Sequence, residues 1–166
     1  MFGFKRKAVT QRVIEAVRPN IAAAQMVGGI DRAFWDDRAV LGYLFGQILI
    51  FIKIQGGNRL SNTETAQILA DTFTALSNAN GERIATEVAR LNQTNEPDFE
   101  AAKERGMVVV SYTLGLLKNE QHEPLVLEAM YSIEDSGSEP SRENVSGYLF
   151  HMFWTERTER LRETQL

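Results

Sequence analysis

There is no cysteine anywhere in the 166 residues. That excludes a disulfide framework, thiolate metal sites and cysteine nucleophiles, and it fits a reducing, cytoplasmic setting. Histidine is nearly absent too, occurring at His122 and His151. Neither has a second histidine or a carboxylate at helical ligand spacing, so the sequence builds no metal site. Phosphate-binding loops are missing. Gly28-Gly29 and Gly56-Gly57 lack the glycine-rich consensus, the lysine and the strand-loop-helix setting, and read as helix ends. There is no Gly-x-Ser-x-Gly elbow and no Glu-x-x-His pair of the di-iron bundles. No catalytic residue, cofactor or metal is therefore expected.

Period-two alternation with hairpin-spaced turn dipeptides is also lacking, which argues against strands. Proline is limited to Pro19, Pro97, Pro124 and Pro140, each where a helical pattern begins or breaks. The basic start, Lys5-Arg6-Lys7, precedes no apolar run, so a signal peptide is not expected. Phe2 and Phe4 beside these charges are too few for stable membrane anchoring; a frayed stretch 1–5, or one docked on the domain, is expected.

What is present is helical periodicity. The spacing predicts helices over 6–18 and 20–27, a connector at 30–35 offering Phe34 and Trp35, and helices over 36–54, 62–78, 81–93, 98–118, 124–133 and 142–163. The expected fold is an all-α, single-domain bundle of about seven or eight helices spanning 1–166. The stretch 39–54 is central, with 98–118 and 142–155 beside it. Ser61-Asn62-Thr63-Glu64 reads as a capping box and Ser141 as a helix cap. Residues 134–140 form the best candidate for a mobile loop, and 157–166 a charged helix end.

From Ala39 to Ile54 only Gln47 and Lys53 are strongly polar, so this helix is apolar on every side. Its sixteen residues would span about 24 Å, short of the roughly 30 Å hydrocarbon layer, which favours a buried core helix over stable membrane insertion. Gly42 and Gly46 predict a close pass by a neighbouring helix. The inward set of 98–118 is expected to be Phe99, Ala102, Gly106, Val109, Val110, Thr113, Leu116 and Leu117.

Gly42-Tyr43-Leu44-Phe45 returns as Gly147-Tyr148-Leu149-Phe150, with Val40 and Val145 also in step. The match does not extend into the flanks, and its offset is too long for a stacked repeat. On 142–163, Val145, Tyr148, Leu149 and Met152 form an inward stripe, which leaves Phe150, Phe153 and Trp154 as candidates for a homodimer interface. His151 reads as a partly buried structural histidine, and His122 as a surface residue.

Charge is uneven. Residues 1–60 hold nine Lys/Arg against four Asp/Glu, and residues 61–166 nine against eighteen. An acidic half repels nucleic acid and suits a basic partner, although acidic and basic halves of one fold also simply pack together. These observations point to a non-catalytic helical interaction or regulatory module, homodimeric or with a protein partner, in which no nucleic acid is bound. A second reading is a small-molecule or acyl-chain binder with a pocket near Tyr43, Gln47, Tyr148 and His151; an enzyme without a recognisable motif comes third.

Overall fold

The computed structural model describes residues 2–31, 33–57, 60–78 and 81–163, the side chains of 2–5 excepted. The described residues form an all-α bundle of seven α-helices: α1 (Phe2–Val27), α2 (Arg38–Gly56), α3 (Asn62–Ser77), α4 (Gly81–Gln93), α5 (Pro97–Thr113), α6 (Pro124–Asp135) and α7 (Arg142–Glu163). A 3-10 turn, Glu120–His122, precedes α6. The chain divides into two compact units: 1–19 with 31–107, and 20–30 with 108–166. Two of the three boundaries fall inside continuous helices, α1 and α5, and the third in the connector before α2.

Helix α1 runs straight past Pro19, where the sequence predicted a restart. Proline inside a helix costs about 3 kcal/mol. Here Pro19 sits on the exposed side, while Val9, Val13, Val17, Asn20, Ile21 and Ala24 make one buried stripe on both sides of it. Burying each aliphatic side chain contributes about 1.5–3 kcal/mol, so the stripe outweighs the proline. The backbone of α1 is already helical at Phe2, not frayed through residue 5; how Phe2 and Phe4 dock lies outside the described residues. The helix closes at Gly28-Gly29, where both amides donate to the Ala24 carbonyl and Gly29 takes φ +77°.

In the first unit α2 is the central helix. Asp37 caps it, accepting from the amides of Ala39 and Val40 at 3.0 and 3.2 Å. At 19 residues it is long and apolar enough to cross a membrane, yet Ala39 to Ile48 are buried without a break. Gly42, Gly46 and Gly106 make the crossing with the first part of α5. A Cβ built on Gly42 would overlap the carbonyl oxygen of Phe99, one on Gly46 that of Lys103, and one on Gly106 that of Tyr43. The expected close pass is therefore a backbone-on-backbone contact. Phe45 and Phe99 lie beside it with centroids 5.7 Å apart. The capping box at Ser61 and Glu64 forms in both directions and starts α3. Phe34 is fully buried, and Trp35 meets both Phe34 and Phe73 edge-on.

In the second unit α5 ends at Thr113, five residues before the predicted end at 118. The Gly115 amide donates to Tyr112, the Leu116 amide donates to Ser111, and Gly115 takes φ +67°. This glycine-closed turn satisfies the last carbonyls and stops the helix. Tyr112 takes the buried position assigned to Thr113, while Leu116 is exposed. Arg142 holds the turn. It donates to the Tyr112 carbonyl at 2.6 Å, forks onto both Glu120 oxygens at 3.0 Å, and lies 4.9 Å from the Tyr112 ring centre. Helices α6 and α7 pack against each other, α7 being capped by Ser141 as predicted.

Candidate functional site

Helix α7 is turned from its predicted orientation. Its buried positions are Val145, Ser146, Leu149, Phe153, Trp154 and Arg157. Val145, Leu149 and Phe153 recur every four residues, and Phe153 and Trp154 stack edge-on at 4.9 Å. Tyr148 and Met152 are half-buried, so they flank the inward stripe and do not belong to it. Phe153 and Trp154 are taken up by their own chain at 3% and 2% exposure, and Phe150 is half-buried. His151 is exposed, against the expectation of partial burial.

This rotation opens a groove of about 310 Å³ between α6 and α7, lined by Glu128, Tyr148, His151, Met152, Thr155 and Glu156. The α7 members recur at steps of three and four along one helix side, and Glu128 faces them from α6. Of these lining residues, Tyr148 and His151 are among those expected from the sequence, and Glu128, Met152, Thr155 and Glu156 are not. The spacing of 148, 152, 155 and 156 was legible as a helical stripe. Glu128, twenty residues away on another helix, gave no such signal.

Tyr43 and Gln47, the other half of the proposed pocket, are fully buried in the first unit. They stand one helical turn apart on α2, with the Arg105 guanidinium near the phenol. Burial pushes the Tyr43 phenol well above its ordinary value, and Arg105 and Gln47 counter that only in part. The groove is not lined by either residue.

A second depression, about 420 Å³, lies along α4 and is lined by Asp36, Arg83, Thr86 and Glu87. Its charges are already matched. Arg83 pairs with Asp36 at 2.9 Å, and Arg90 forks onto Glu87 at 2.6 and 2.8 Å. The Arg90 hydrogen bond holds the Glu87 carboxyl below its ordinary value. Charges that satisfy one another leave little to attract a ligand, so the α6–α7 groove is the stronger candidate.

Among the described residues no three His, Asp or Glu side chains stand together as a metal site. The chain matches no family model, no curated protein and no solved structure.

Proposed function

We propose that the chain is a non-catalytic helical interaction module and that the α6–α7 groove is the surface that meets its partner. The groove itself carries this reading. It is an open channel between two packed helices, with an aromatic ring, a thioether and two carboxylates on its walls. Such a surface suits the side chains of another protein, since interfaces favour Tyr and Met contacts inside a polar rim. The acidic balance of residues 61–166 argues against nucleic acid as that partner. The absence of cysteine and the burial of α2 support a cytoplasmic, soluble protein.

The small-molecule reading is weaker for a geometric reason. Tyr43 and Gln47 lie where α2 and α5 touch backbone to backbone, which leaves no room for a ligand beside them. Native mass spectrometry separates the readings. The interaction module is expected to fly at the mass of the bare chain, 18.7 kDa, or a whole multiple of it. A retained small molecule, displaced by substitutions at Tyr148 or His151, would establish the binder instead.

A further inference from the structure

We infer that the outer face formed by the last two turns of α2 and the first turns of α1 rests, reversibly, on an anionic lipid surface. The inference is independent of the α6–α7 groove and concerns the first unit alone.

Three observations carry it. First, α2 is buried without a break only as far as Ile48; beyond it Leu49, Ile50 and Phe51 are half-buried, Lys53 is exposed and Ile54 is 46% exposed. Wound at about 3.6 residues per turn, these make one continuous arc in the order Leu49, Lys53, Ile50, Ile54, Phe51, with buried Ile48, Ile52 and Gly56 on the opposite side. Second, cations bracket that arc. Lys53 lies within it, and Arg12 of α1 is fixed at its other edge by donating to Gln55 at 3.2 Å. Lys7 and Arg18 are exposed on the outer side of the same helix, away from Val9, Val13 and Val17. Third, nothing acidic offsets them. Residues 5–18 and 49–57 hold six Lys/Arg against one carboxylate, Glu15, which accepts from Gln11 at 2.9 Å. Among the described residues no carboxylate pairs with Lys7, Arg12, Arg18 or Lys53.

An aliphatic arc ringed by uncompensated cations matches the two layers of a membrane interface. Ile54 and Phe51 suit the boundary of the acyl chains, while the cations suit anionic headgroups. The three basic residues at 5–7 are too few alone; the fold adds Arg12, Arg18 and Lys53. A nucleic acid would meet the same charges but has no use for the aliphatic centre. Helix α2 keeps its place in the core, so the contact is peripheral and no segment spans the bilayer.

The test is co-sedimentation of the full chain with vesicles of equimolar phosphatidylcholine and phosphatidylserine, compared with phosphatidylcholine alone. Binding is expected to the mixed vesicles only. Raising salt from about 0.1 M to about 1 M shortens the screening length from about 10 Å to about 3 Å and should release the chain. The double variant Arg12→Gln, Lys53→Gln should weaken binding about thirtyfold, the effect of two cations lost at an anionic surface. Ile54→Gln should weaken it about tenfold through lost apolar contact, and both variants should keep the wild-type melting curve. Lys118→Gln with Arg162→Gln removes two exposed cations elsewhere and should leave binding unchanged. Failure to bind the mixed vesicles, or equal binding to the neutral ones, would overturn the inference. So would an equal loss in the Lys118, Arg162 control, which would reduce the effect to net charge. Tighter binding to a DNA duplex than to the vesicles, insensitive to Ile54→Gln, would assign the face to nucleic acid and also overturn it.

Discussion

Replacing Gly42 by alanine isolates the cost of one backbone crossing. In an ordinary helix interior glycine is about 0.5–1 kcal/mol worse than alanine, so the change should stabilise. At Gly42 the new methyl overlaps the Phe99 carbonyl, and backbone cannot step aside as a side chain does. Gly42→Ala is expected to lose about 1–3 kcal/mol. Gly147 is the matched control: it holds the same place in the repeated Gly-Tyr-Leu-Phe, yet nothing lies within 4 Å of its Cβ direction. Gly147→Ala should gain about 0.5–1 kcal/mol. Urea denaturation of the two variants checks both signs. The identical tetrads thus occupy unlike surroundings, Tyr43 fully buried and Tyr148 beside an open groove. Two phenols set an alkaline limit. Burial raises Tyr43 and Tyr112 above the ordinary tyrosine value. The unfolded chain then ionises first, so the stability these groups contribute is whole below pH of about 10 and is lost as pH rises toward their folded values. Urea midpoints should fall from about pH 10 upward, and less steeply in Tyr112→Phe.

Among the elements, the end of α5 depends on a residue thirty positions away. Arg142→Lys keeps the charge but loses the fork and the flat face over Tyr112, and is expected to cost about 1–2 kcal/mol. Glu120→Gln, at a half-exposed pair, should stay within about 0.5 kcal/mol. Comparing their denaturation midpoints separates the carbonyl and ring contacts from the salt bridge. This clamp explains why the end of α5 was hard to read. Val108 to Leu117 keeps a helical pattern, and only Gly115 with a distant arginine stops it. Pro19 failed as a boundary for the opposite reason, because the buried stripe on either side outweighs a local rule. Where signals are local and agree, as at Asp37, Ser61 and Ser141, the sequence placed helix starts to within one or two residues. The all-α class, the central apolar helix and its glycine contact were legible because period and composition encode them. The groove was half legible: its α7 side repeats along one helix, whereas its depth depends on how α7 turns against α6.

For the whole molecule, Phe153 decides between core and interface. A carboxylate placed at this buried position is cut off from solvent, so Phe153→Glu should lose at least about 3 kcal/mol and yield unfolded or aggregated chain in light scattering. Phe150→Glu, at a half-buried site, should stay folded; a change of scattering mass in that variant alone would support a homodimer through α7. The division into two units passes through α1 and α5, so each of those helices belongs to both. The division points on these helices, at Pro19 and at Met107, differ in their surroundings: the first is exposed, while the second adjoins the glycine crossing of α2 and α5. That crossing also limits motion. Packed helices usually slide by small changes of rotamer in the side chains between them. Where Gly42, Gly46 and Gly106 set carbonyl against backbone, there is no rotamer to change. Helix α2 and the first three turns of α5 must therefore travel as one rigid body, and the start of α4 is held to α3 in the same way, since a Cβ on Gly81 would overlap the Ala70 carbonyl.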